Sequence, residues 1–285
     1  MRIAYFPNQT AIDSVSVWKA FLESCVNRGI TPVENIEDAD MAVIWSMLWQ
    51  GRMSSNRRIW EKYRKQNKPV IVLEIGALDR GNLWKVGVNG VNGLGYFGPT
   101  GMDNTRRKKL GINLNPWKKK NEIVLCTQHA SSYQWEKMIP IDQWVTNVVK
   151  ELQNHTDRPI KIRTHPRYPI RMNLTLQKVI IENARSVVGI SDSINFKNSI
   201  SDAWAVINWN SNPGVVSALH GVPVFVSTES LAAPVGNLNF GEIEKPITPD
   251  REQWANDLAY TEWTVDEIRR GEPLDRLISI LTSKR

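Results

Sequence analysis

Cysteine is scarce: Cys25 and Cys126 are the only two in 285 residues. Two thiols cannot build a disulfide framework, and they fit a reducing compartment. The four histidines fall at no zinc-ligand spacing, and no apolar run approaches the roughly 18 residues that span a bilayer. The opening residues lack the apolar stretch and small-residue cleavage site of a signal peptide. The chain is therefore expected to be cytoplasmic. No internal repeat or low-complexity segment is present. What remains is 41% hydrophobic and 23% charged, the composition of an ordinary soluble globular protein. The length suggests two domains or one large one.

Charge is unevenly spread. Residues 1–51 carry 3 basic and 6 acidic side chains, residues 52–120 carry 16 and 4, and residues 121–285 carry 17 and 19. The net of +7 thus conceals a +12 segment in an otherwise mildly acidic chain. Such asymmetry suggests a surface for a polyanion, with a solvated basic face as the plain alternative.

Apolar runs alternate with helical patterns. Residues 2–6, 40–45 and 69–73 read as buried strands, with helices over 14–28 and 56–66 between them. A second series starts at residue 122. It has strands at 122–126, 160–163, 186–188, 203–207 and 223–226, and helices near 141–153, 174–183 and 213–220. The residues from 249 onward have helical spacing. Apolar strands alternating with helices predict parallel sheets covered on both faces. The expected plan is α/β with two Rossmann-like domains facing across a cleft: residues 1–117, residues 118–250, and C-terminal helices over 251–285 packing back on the first. The glycine-rich stretch 87–101 is expected to be a long irregular loop. It is not followed by the Gly-Lys-Ser/Thr of a phosphate loop, and the first strand carries no dinucleotide fingerprint.

Three loops follow strands of the second series, where doubly wound sheets place ligands. They run from Cys126 through Gln128 to Ser132, from Arg163 through His165 to Arg167, and from Asn208 through Asn210, Ser211 and Asn212 to Gly214. The third leads into a helix whose backbone N–H groups suit an anion. Arg163 and His165 alternate along an extended segment, so both are expected on one side, offering a cation and an imidazole to a phosphate. The plain readings are that Asn210 and Ser211 cap the helix, that His165 is a turn residue, and that His220 ends the helix facing its dipole.

In this order, Gln128, Arg163-Thr164-His165-Pro166-Arg167, Asn210-Ser211-Asn212-Pro213-Gly214, Ala218-Leu219-His220-Gly221 and Pro223-Val224 resemble the donor half of GT-B glycosyltransferases. The likeness is to the capsule-polysaccharide Kdo-transferase type, which has a basic residue plus His-Pro motif and an Asn-Ser-x-x-Gly helix start. Pro213 departs from that pattern, where the family often has a small residue. The resemblance implies a nucleotide-sugar donor, UDP-glucose by default, held by Gln128, Arg163, His165, Arg167, Asn210, Ser211, Asn212 and Gly214. The first half resembles phage DNA glucosyltransferases in strand order and one local match, an acidic residue ending the third strand. That resemblance implies Glu74 as the base, with Asp79 as the competitor. A carboxylate can take the proton that an acceptor hydroxyl loses as it attacks. No metal is expected, since Asp38-Ala39-Asp40 precedes a strand instead of ending one.

The +12 segment would then lie on the acceptor side. Arg52, Arg57, Arg58, the run Arg106-Arg107-Lys108-Lys109 and the run Lys118-Lys119-Lys120 would neutralise phosphates. Trp84, Tyr96 and Phe97 would stack on or wedge beside a flipped base, with core packing as the plain alternative. These expectations favour a monomeric, metal-independent glycosyltransferase acting on 5-hydroxymethylpyrimidines of duplex DNA, hydroxymethylcytosine among them, in a phage-infected cell's cytoplasm. A transferase for a capsular or cell-surface glycan is the alternative. A non-catalytic nucleic-acid-binding protein on the same fold is a third.

Overall fold

The computed structural model describes residues 1–11, 14–170, 178–182 and 193–282. The chain divides into two units, Met1–Arg106 with Asn256–Arg285, and Arg107–Ala255.

In the first unit, β1 (Arg2–Tyr5), α1 (Val15–Val26), β2 (Thr31–Glu34), β3 (Met41–Trp45), α2 (Asn56–Lys65), β4 (Val70–Ile75) and β5 (Trp84–Val88) follow in order. Their sheet runs β2-β1-β3-β4-β5 and gains a short sixth strand from the C-terminal segment. The first four strands are parallel, and β5 is antiparallel to β4. Every residue of β3 is buried, as expected of a strand covered on both faces. The order changes direction between β1 and β3, so the loops after those two strands flank a topological switch point. The glycine-rich stretch is more ordered than expected. Val88 and Tyr96 exchange backbone hydrogen bonds of 2.8 and 3.0 Å, and Asn89 takes a left-handed φ of 64°.

A short helix α3 (Thr105–Lys109) leads to the second unit. There β6 (Glu122–Cys126), α4 (Ile141–Gln153), β7 (Ile160–Arg163), β8 (Val179–Glu182), α5 (Ser193–Ser199), β9 (Ala203–Ile207), α6 (Asn212–Leu219) and β10 (Val224–Phe225) follow. The sheet is wholly parallel, in the order β10-β9-β6-β7-β8. Its switch point lies between β6 and β9. One face packs on α4 through Trp144, Val145, Val148 and Leu152. The helix expected over 174–183 is corrected in its last part: Val179–Glu182 is a strand paired with β7. Its earlier part, and the strand expected at 186–188, lie outside the described residues.

The chain closes with α7 (Glu252–Leu258), β11 (Glu262–Trp263), α8 (Val265–Arg270) and α9 (Glu272–Thr282). β11 adds antiparallel to β5. Trp263, Ile268, Leu274, Leu277 and Leu281 share one apolar cluster with Val17, Phe21, Ile71 and Leu73. Burial of these side chains, worth about 1.5–3 kcal/mol each, explains why a segment distant in sequence belongs to the first unit. No helix among the described residues is long and apolar enough to cross a membrane.

Candidate functional site

In the second unit, polar side chains gather at the carboxyl ends of β6, β7 and β9. Thr127 joins the first two loops, since its Oγ1 accepts the backbone N–H of His165 at 2.9 Å. Gln128 is 6% exposed, and its amide donates to Ser132 Oγ at 3.0 Å. His129, in the first of the three loops but given no role from sequence, is 5% exposed and meets the His165 ring edge to face at 5.3 Å, with Tyr168 at the same distance. His129 Nδ1 accepts the N–H of Ser131, and His165 Nδ1 accepts that of Arg167, both at 3.1 Å. Each ring therefore carries its proton on Nε2 when neutral. Burial, and then the Arg167 charge, hold His129 below the ordinary imidazole range. The edge-to-face histidine pair could be found only once the sheet had joined the loops.

The third loop is built around Asn208, which is 2% exposed and whose amide donates to Ser211 O and Oγ at 3.0 and 3.1 Å. Ser211 occupies the N-cap position of α6, yet its hydroxyl caps no helix N–H. The plain capping reading therefore fails for Ser211. Asn210 donates to Glu229 at 3.4 Å. Gly214 is required by space: a Cβ there would lie 2.6 Å from Asn208 Oδ1 and 3.1 Å from Val226 Cγ1. Buried polar atoms are nearly always hydrogen-bonded, but Gln128 Oε1 and Asn208 Oδ1 have no partner among the described residues. His220 behaves as a helix-end residue, with Nδ1 2.9 Å from Val216 O.

Arg163 and His165 are not brought together as expected. The Arg163 guanidinium lies over Phe196 and bonds Ser199 Oγ at 3.0 Å and Glu182 at 3.1 Å, whereas His165 turns to His129. The extended segment ends at Arg163, and a two-residue turn bonded through His165 breaks the alternation. Arg167 is exposed.

In the first unit, Glu74 is half-buried near the end of β4. Its Oε2 accepts from Ser46 Oγ at 2.5 Å, and its Oε1 accepts its neighbour's N–H, that of Ile75, at 2.9 Å. Ser46 directly follows β3 and lies in the left-handed region at φ 61°, an uncommon conformation for serine. Ser46 also accepts the N–H of Leu48 at 3.1 Å, so the loop holds the hydroxyl that holds the carboxylate. Asp79 is exposed in the turn after β4, where it accepts from Asn82 at 3.1 Å. Asp40 accepts the backbone N–H of Arg2, and Asp38 pairs with Lys68.

The basic residues divide into buried and exposed groups. Arg106 is buried, bonded to both oxygens of Glu267 at 2.6 and 2.9 Å and stacked on Trp263 at 4.0 Å. Arg107 is buried against Glu252 at 2.5 Å. Arg58 and Lys62 share Glu37, and Arg57 pairs with Glu61. Arg52, Lys108, Lys109, Lys119 and Lys120 are exposed, and Lys118 is half-buried. The three aromatics pack within the first unit. Trp84 and Tyr96 lie against its core, and Phe97 covers Gly87, where a Cβ would lie 2.8 Å from the ring. By unit, the first holds 18 basic and 16 acidic residues and the second 18 and 13. The +12 segment is thus divided between the units, and the first unit as a whole carries a net of only +2.

Among solved structures, the chain is similar to the β-Kdo 2,4 transferase of Thermosulfurimonas dismutans KpsC. The TM-score is 0.59 at 14% identity, over 94% of this chain and 98% of that one. The fold is that of the GT-B glycosyltransferases. The β-Kdo 2,7 transferase of the same KpsC matches with a TM-score of 0.55 at 15% identity, over 96% of this chain and all of that one. No protein-family model and no curated protein sequence matches.

Proposed function

We propose that the protein is a glycosyltransferase that moves a sugar from a nucleotide-sugar donor to a hydroxyl of a carbohydrate acceptor. The observation that carries this reading is the convergence of Gln128, His129, His165, Asn208, Asn210 and the start of α6 at one carboxyl edge of a parallel sheet. The donor's phosphate would meet hydrogen-bond donors there: imidazole Nε2–H groups and the first N–H groups of α6. The charge of Arg163 is already balanced by Glu182, so its part is to brace β7 against β8.

In the reaction, the acceptor oxygen bonds to the anomeric carbon while the bond from that carbon to the phosphate oxygen breaks. The electron pair leaves with the nucleotide, and donors set in advance stabilise the developing charge. Glu74 takes the acceptor's proton, held in place by Ser46. The carbohydrate acceptor is favoured over DNA because Arg58, Arg106 and Arg107 are ion-paired and Trp84, Tyr96 and Phe97 are packed. It also agrees with similarity in fold to transferases named for Kdo.

Mass spectrometry tests this directly. The protein is incubated with a panel of nucleotide sugars, UDP-glucose and an activated Kdo donor included, and with acidic oligosaccharides or hydroxymethylated duplex DNA. A mass increment on an oligosaccharide is expected. An increment on DNA alone would restore the DNA reading, and release from no donor would remove the transferase reading.

A further inference from the structure

Glu74 has a neighbour that the reaction has not used. Lys85 lies opposite Glu74 in the β4–β5 register and opposite Glu262 in the β5–β11 register. The three side chains therefore form one row across three strands, on the same face of the sheet because directly paired residues share a face. The alternate residues Leu73, Val86 and Trp263 fill the apolar cluster on the other face. A lysine and a glutamate are rarely buried unless paired, yet Lys85 is 4% exposed and Glu262 is 0% exposed.

Glu262 is fixed by more than its charge. Its oxygens accept the N–H groups of Ala77 and Leu78 at 2.7 and 2.9 Å, and a Cβ on Gly76 would collide with it. The turn leaving the Glu74 strand is thus folded around that carboxylate. Burial pushes the Lys85 ammonium down and the Glu262 carboxyl up. The charges of Glu262 and Glu74 oppose that fall at Lys85, and Lys85 with the two N–H bonds opposes the rise at Glu262. The other charged groups here are Arg80 and Asp79 in the turn, and Arg80 opposes the lysine's charge. From α2 the inward groups are the amide of Asn56 and the phenol of Tyr63, which is pushed up to about 12. Neither titrates near neutrality.

We propose that Lys85 is a positioning residue that sets its charge beside Glu74 and orients that carboxylate as the base, and that Glu262 on the C-terminal strand anchors Lys85 for that task. The inference rests on the reading of Glu74 as base. It gives the segment Asn256–Arg285 a part in the site: without β11 the lysine would lose one counter-charge, and the turn after β4 would lose its anchor.

The test is a set of pH–rate profiles of kcat/KM with the full chain, for the wild type, Glu74→Gln, Lys85→Met and Lys85→Arg. Donor affinity and circular dichroism are measured on each. Lys85→Met is expected to lower kcat at least tenfold with donor affinity unchanged, and to move the acid limb at least one pH unit upward. Lys85→Arg should return the limb to its wild-type place. A folded Lys85→Met with an unmoved limb overturns the proposal while Glu74→Gln stays inactive. An active Glu74→Gln instead removes the reading of Glu74 as base. Lys85→Gln substitutes if Lys85→Met does not fold. If neither folds, Lys85→Arg decides: a folded variant with a displaced limb overturns the proposal, and an unmoved limb supports it.

Discussion

The two candidate sites, one around Glu74 and one around Asn208, hold their polar groups differently. In the first, Glu74 is bonded through both oxygens, Lys85 stands between two carboxylates, and Glu262 accepts two backbone N–H groups. In the second, buried acceptors on Gln128 and Asn208 lack partners, and the helix start of α6 is left uncapped by Ser211. A buried polar atom without a partner costs about 1–3 kcal/mol, a deficit that a bound ligand can offset. A fully bonded carboxylate is suited to holding one geometry, as a base must. Under the proposed function, the contrast fits ligand binding at the Asn208 site and proton handling at the Glu74 site.

The sharpest way to break this contrast is Glu74→Gln. Transfer should fall by about 10²–10⁴-fold while calorimetry finds the donor bound as tightly as before. Loss of donor binding instead would mean that the two roles are not divided by unit. Next in size is Arg106→Ala, which strands the Glu267 carboxylate in the core and should cost about 3–5 kcal/mol in denaturant unfolding. Lys119→Ala, at an exposed position, should stay within about 0.5 kcal/mol. Equal effects would mean that Arg106 is a surface charge after all.

A smaller effect is expected from Gly214→Ala, whose new methyl would press on Asn208 Oδ1. Overpacking of this kind costs about 1–3 kcal/mol, and donor affinity should fall with it. The smallest effect concerns pH. Burial lowers the pKa of His129 and His220 in the folded chain, so the unfolded chain binds protons first as pH falls. Their contribution to stability is complete above the unfolded value near 6.5, declines as pH drops below it, and levels off once the folded rings protonate. His129→Gln should flatten the loss of denaturant midpoint between about pH 8 and pH 5. An unchanged slope would show that His129 is not buried as described.

Much of the fold was legible because parallel strands buried on both faces have to be continuous apolar runs. Val70 to Leu73 and Ile123 to Leu125 announce themselves. The strands β2, β5 and β11 were missed: four residues beginning Thr31-Pro32 and two at Glu262-Trp263 carry no periodic signal, and β5 ends inside the glycine-rich stretch expected to be a loop. Of the site, Glu74 and the loop from Asn208 to Gly214 could be located from strand ends. His129 and Glu229 could not be singled out, because their significance lies in contacts with residues from other loops.

The charge pattern divides most clearly between what sequence and structure decide. Chain order alone determined two α/β units and the loops that carry polar side chains, because hydrophobic periodicity is local. It also set the +12 segment, but not where that charge would be exposed. Arg58 found Glu37, Arg106 found Glu267 and Arg107 found Glu252, partners that all lie outside the segment. Only the tertiary structure could decide that cancellation, since Coulombic energy depends on distance in space and on burial, and neither is written in the order of residues.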